Sequence, residues 1–158
     1  KEIVHFETLI IRRIALELDA GNLRPAYELL LFVERRHPNW PGAREQTLRF
    51  LLLEGNRFIA QGDFERALVN GEQLFKLQAD YPDLSLMNGR AVDGAMTRAV
   101  AADDYRRARH FLARLKRLHP AHEVAARWTD RLSAQARETV EQARTAQREA
   151  RHRDAYLL

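Results

Sequence analysis

The chain has no cysteine. Disulfides, thiolate nucleophiles and cysteine-based zinc sites are excluded, while the redox compartment stays open. Only seven of the 158 residues are glycine and five are proline, so those present read as punctuation. Serine occurs at Ser85 and Ser133 alone, and neither stands in a Gly-x-Ser-x-Gly elbow. Glycine-rich phosphate loops are lacking too. The longest apolar clusters, at 29–33 and 50–53, fall far short of the ~20 residues that cross a bilayer, so membrane insertion is not expected. No stretch alternates convincingly at period two, which argues against strands.

A hydrophobic share of 46% is ordinary for a folded domain and argues against disorder. The net charge of +4 and pI near 9.8 invite a nucleic-acid reading. Twenty-two acids stand against 26 bases, however, which leaves a modest overall field. Nucleic acid is therefore not an expected partner. The basic run Arg106, Arg107, Arg109, Arg114, Lys116, Arg117 is interleaved with Tyr105, Ala108, Leu112 and Leu115, as on the outer face of an amphipathic helix.

One phrase recurs at a fixed interval. It reads Gly21-Asn22-Leu23-x-x-Ala26, then Gly62-Asp63-Phe64-x-x-Ala67, then Asp103-Asp104-Tyr105-x-x-Ala108, with an echo at Ala150-Arg151-His152-x-x-Ala155. The alanines step by 41, 41 and 47 residues. Such a period points to stacked helix pairs. Helical spacing predicts helices over 2–20, from about Pro25 to His37, and over 43–61, 64–79, 84–102, 104–118 and 121–149. Gly21 and Gly62 close first helices by accepting the left-handed turn, Pro25 fits a first helical turn, and Asp103 is a candidate cap. Pro38, Pro82 and Pro120 are expected to close the second helix of each pair, since proline disfavours helix in the residue before it. Pro82 lies 15 residues after Ala67 where Pro38 lies 12 after Ala26. The interior glycines make Asn88-Gly89 to Gly94 the weakest helical stretch, and a kink or a longer connection is expected near residues 80–90.

These residues resemble tetratricopeptide repeats. The best match is Leu51-x-x-Glu54-Gly55-x-x-Phe58-x-x-x-Gly62-Asp63-Phe64-x-x-Ala67, and the turn, the alanine and the proline of the other units, including Tyr105 and Ala108, extend it. The resemblance implies an all-α fold: a right-handed solenoid of antiparallel helix pairs. The family's repeat of ~34 residues is exceeded here by about two turns in each first helix. The expected organisation is one helical domain over 1–158, with repeats at about 2–38, 42–82, 83–120 and a cut-off fourth at 121–158. The chain reads as a piece of a longer protein. Gly55 and Ala67 are expected to be small where paired helices close on each other, with Phe58 and Phe64 filling the remaining space. The strings Glu34–Gly42 and Arg106–Pro120 are similar to helical regions ahead of peptide-type solute-binding domains in bacterial transport proteins, which implies an extracytoplasmic spacer.

First helices line the groove in tetratricopeptide arrays. By that resemblance Arg49, Asn56, Arg90, Asp93, Thr97, Arg137 and Arg144 face it, with Arg49, Arg90 and Arg137 equivalent in successive units. A guanidinium ladder of this kind would favour an acidic, extended protein or peptide partner, or another domain of the same chain. Asn56 matches the asparagine of the family's carboxylate clamp, whereas the clamp lysines are missing. The uncapped end units offer faces for self-association. No cofactor and no enzymatic activity are expected. Glu34-x-x-His37 and Glu149-x-x-His152 have a di-iron spacing, but His37 stands at a helix end and His152 in an expected turn. Trp40 reads as a plug between units and Trp128 as helix packing.

Overall fold

The computed structural model describes the backbone of residues 2–37 and 39–156 and the side chains of residues 6–37 and 39–150; Pro38 lies outside them. Among the described residues there are seven helices and no strand: α1 (Glu2–Asp19), α2 (Leu23–Arg36), α3 (Ala43–Ala60), α4 (Phe64–Leu77), α5 (Leu84–Ala101), α6 (Tyr105–Leu118) and α7 (Glu123–Tyr156). The repetition is stricter than the motif alone suggests. α1, α3 and α5 have 18 residues each and begin at 2, 43 and 84, while α2, α4 and α6 have 14 each and begin at 23, 64 and 105. Every boundary advances by 41 residues.

Local chemistry makes the turns identical. In each unit two backbone bonds close the longer helix: Asn22 N to Glu17 O and Gly21 N to Leu18 O, repeated at Asp63 and Gly62 and again at Asp104 and Asp103. This is the left-handed closure that helices favour at a glycine. Gly62 adopts φ +74°, and Asp103 takes the same place at φ +54°; a short polar side chain tolerates that region better than other non-glycine residues. Asp103 is thus the turn residue, and the cap is Asp104, whose carboxylate accepts from Arg107 N at 2.9 Å. Asp63 caps Arg66 N in the same way at 3.3 Å.

The connections between units also keep step. Trp40 N bonds His37 O and Ala43 N bonds Trp40 O, with the same pair of bonds at Tyr81 and Leu84 and at His122 and Ala125. This corrects the reading of the prolines. α4 ends at Leu77, not at Ala79 or Pro82, and no residues are added. Pro82 corresponds to Pro41, while Pro120 corresponds to Pro38. α5 runs unbroken through Gly89 and Gly94, where the missing side chains admit neighbours. A Cβ on Gly94 would strike the Phe64 ring, and one on Gly89 the His122 ring.

Consecutive helices pack on one another, and each odd helix also packs on the next odd helix. Ala26, Ala67 and Ala108 are fully buried at equivalent places. The tightest neighbour of Gly55 is Met87 of α5, its Cε 3.1 Å from where a Cβ would stand, with Ala67 O at 3.7 Å. Gly55 is therefore small chiefly to let the next odd helix approach. Phe58 and Phe64 pack partly buried against the largest cluster, which joins α4, α5, α6 and α7 through Leu68, Val92, Met96, Phe111, Leu115 and Trp128. A second cluster holds α1, α2 and α3 around Ile14, Val33 and Trp40, so Trp40 does plug the first connection. Each such Leu, Ile or Val is worth about 1.5–3 kcal/mol.

α7 departs from the pattern. The step of 41 would place a turn at 144–145, but Arg144 and Thr145 stand there and the helix continues to Tyr156. Neither residue takes the left-handed region cheaply, so nothing in the sequence stops the helix. The motif at 150–155 accordingly lies within helix, and His152 is not in a turn.

Candidate functional site

The odd helices form a continuous row, and its outward residues are the expected groove. Arg49 on α3 pairs with Asp19 at the end of α1. Arg90, equivalent to it on α5, is exposed and has no ion-pair partner among the described residues. One step of 41 further is Arg131, not Arg137. The guanidinium of Arg131 lies 4.8 Å over the Trp128 ring, a cation–π geometry. The aligned ladder is therefore Arg49, Arg90 and Arg131. Arg137 belongs to the stretched 47-residue spacing of the last motif, which the continuous α7 removes; it stands in register with Gly55 and Met96, a different helix face.

Asp93 serves the stack itself. Its Oδ1 accepts from Trp128 Nε1 at 2.7 Å and from Arg127 Nη2 at 2.6 Å, tying α5 to α7. Thr97 Oγ1 donates to Asp93 O, and Asn56 Nδ2 donates to Leu52 O. Both side chains are thereby turned onto their own helices. Arg144 pairs with Glu141 one turn back at 2.8 Å. The structure thus aligns Arg49 with Arg90, gives Asp93 a structural duty and leaves Arg137 and Arg144 off the ladder.

The strongest electrostatic joint lies between even helices. Arg114, 9% exposed, holds Glu72 with Nε at 2.8 Å and Nη2 at 3.0 Å; Arg117 adds a third bond at 3.2 Å. The hydrogen bonds from Arg114 hold the Glu72 carboxyl below its usual range, against the opposing effect of its own burial. Arg107 reaches Glu65 at 2.9 Å. Arg114 is thus part of the packing, not of the solvated outer face on which the sequence had placed it.

A partly buried polar knot joins α5 to the α6–α7 connection. Asn88 is fully buried, and its Nδ2 meets His119 Nε2 at 3.0 Å. His122 Nδ1 accepts from Val124 N at 3.1 Å, and its Nε2 meets Ser85 O at 3.0 Å. Burial, aided by His122, pushes the His119 pKa down. Among the described residues no three His, Asp or Glu side chains converge as a metal-ligand set. His37 stacks on Trp40 with ring centroids 5.2 Å apart. The His152 side chain lies outside the described residues.

Surface clefts are open and mixed in character. One of about 400 Å³ runs between α2, α3 and α4 along Tyr27, Leu30, Phe50 and Leu77. Another of about 300 Å³ is lined by Phe64, Arg98, Arg107 and Phe111. No helix is long and apolar enough to cross a membrane among the described residues. Asp19, Glu72 and Arg127 escaped sequence reasoning because their partners lie 30–42 residues away. Arg131 was within reach, since a uniform step of 41 from Arg90 names it. Comparison with protein-family models, curated proteins and solved structures finds no match for this chain.

Proposed function

We propose that the chain is a non-enzymatic interaction module: a right-handed solenoid of antiparallel, tetratricopeptide-like helix pairs that binds an acidic, extended protein segment along its odd helices. The observation that carries this reading is the register of Arg49, Arg90 and Arg131. Each sits at the same place on one of three odd helices that pack side by side. Equally spaced guanidinium groups suit carboxylates carried on an extended chain, with bidentate hydrogen bonds where geometry allows. The packing is consistent with it. Odd helices touch directly, while long Arg–Glu pairs reach between α4 and α6, an arrangement that a bend with the odd row on its inner side would require.

The test is fluorescence anisotropy with a labelled peptide of about ten glutamates. Binding should be salt-sensitive and should weaken roughly tenfold or more in R49E/R90E/R131E, at about 1.4 kcal/mol per factor of ten. R137E should leave it unchanged. Equal affinity for wild type and triple variant would overturn the ladder.

A second reading has its own support. Arg49 and Asp93 already serve contacts between neighbouring odd helices, which suits a stiff spacer, such as the helical region of a bacterial extracytoplasmic solute-binding protein. A spacer would show no saturable binding of the glutamate peptide.

A further inference from the structure

One flank of α4 receives a neighbour, and the equivalent flank of α6 receives none among the described residues. Glu65, Leu68, Glu72 and Phe75 make up the α4 flank. The two acids take arginines from α6, while Leu68 and Phe75 join the core that α6 shares. One 41-residue step along, the same flank of α6 carries Arg106, Arg109, Ala113 and Lys116, all exposed. Glu65 becomes Arg106 and Glu72 becomes Ala113, while the apolar Leu68 and Phe75 become Arg109 and Lys116, so the flank carries three cations and no acid.

α7 supplies a second wall. α6 seats on an α5 stripe of Ala91, Ala95 and Ala99, which are 0%, 5% and 5% exposed. The equivalent α7 stripe is Leu132, Ala136 and Val140. Leu132 is half-buried against the core, while Ala136 and Val140 are exposed, Val140 to 48%, because α7 runs straight through the place where a turn would fold a helix back onto it.

We infer that this corner accepts an acidic amphipathic helix from a partner protein. The repeat itself supplies the geometry: the incoming helix lies on α7 as α6 lies on α5, and turns toward α6 the flank that α6 turns toward α4. On α6 that flank holds Arg107, Arg114 and Arg117. Arg107 faces Glu65, whose counterpart is Arg106, and Arg114 and Arg117 face Glu72, whose counterpart is Ala113 with Arg109 and Lys116 one turn to either side; among these cations the incoming positions must carry acids, since like charges side by side repel. A copy of the chain's own even helix is excluded by this charge pattern. The exposed end of the stripe selects a helix over a phosphate backbone, which would leave Val140 uncovered.

The experiment uses two labelled peptides copying residues 103–118. One has the native sequence; the other carries Arg107→Glu, Arg114→Glu and Arg117→Glu. Titrated with the whole chain at low salt, the acidic copy should bind at least about tenfold tighter, with the gap closing at high salt. In R106E/R109E/K116E the preference should invert. Those side chains are exposed, so circular dichroism should show an unchanged melt. Val140→Asp should weaken both peptides. Equal binding of the two copies, or a preference that survives the triple reversal, overturns the inference. So does a single-stranded oligonucleotide that displaces the acidic peptide through the same three cations. A dimer in sedimentation velocity that dissolves on Val140→Asp would assign the corner to a second copy and overturn it as well.

Discussion

Gly71→Ala should destabilise the chain even though alanine is the better helix former. Gly71 lies mid-helix in α4 and is buried. In an open helix the change would gain about 1 kcal/mol. Here a Cβ would stand 2.8 Å from Asn88 Cγ and closer still to its Oδ1. Asn88 is fully buried and tethered to His119, so it cannot swing aside. Overpacking of this kind costs about 1–3 kcal/mol, and displacing the Asn88 amide forfeits a further ~1 kcal/mol of hydrogen bonding. The balance is a net loss of about 1–3 kcal/mol, or roughly 3–10 °C in Tm for a chain of this length. Urea denaturation of wild type, G71A, N88A and the double variant measures it. With the amide gone the methyl has room, so G71A should cost at least about 1 kcal/mol less in the N88A background. A G71A protein as stable as wild type, or additivity in the cycle, would refute the close-approach account of this glycine.

Glu72→Ala should cost about 2 kcal/mol in urea unfolding, because Arg114 stays buried without its carboxylate; Arg114→Leu combined with it should recover part of the loss. The depressed Glu72 pKa gives stability that is present above the unfolded value of 4.5 and lost as pH falls below it. His119 works in the same direction at higher pH. Its folded pKa lies below the unfolded 6.5, so the unfolded chain takes up the proton first and stability declines as pH drops through that value. His119→Gln, which cannot be protonated, should flatten the fall in urea midpoint between about pH 7.5 and 5.5; an identical slope in the variant would remove His119 as its source.

The longer helices were legible because their stops are chemical. Gly21 and Gly62 accept a left-handed turn, and their spacing carried the repeat. Asp103 was harder, because aspartate serves both as cap and as turn residue, and only the backbone bonds at Asp103 and Asp104 separate the two. Pro82 misled for a related reason. Proline is tolerated at several points of a connection, so it marks a break without fixing the register. The ladder was half legible. Arg49 and Arg90 follow from the repeat, but the motif at 150–155 drew the third position from Arg131 to Arg137. Pairings such as Glu72 with Arg114 and Asp93 with Trp128 depend on which faces meet across a full unit, and no local pattern encodes that.

The unbroken α7 also sets a phase. At about 1.5 Å per residue its 34 residues span roughly 51 Å, nearly twice the reach of an 18-residue helix. A rod of this kind hands on orientation together with distance. Deleting one residue beyond 143 would swing anything fastened at its far end by about 100° around the axis, whereas deleting seven would shorten the rod by about 10 Å and return nearly the original heading.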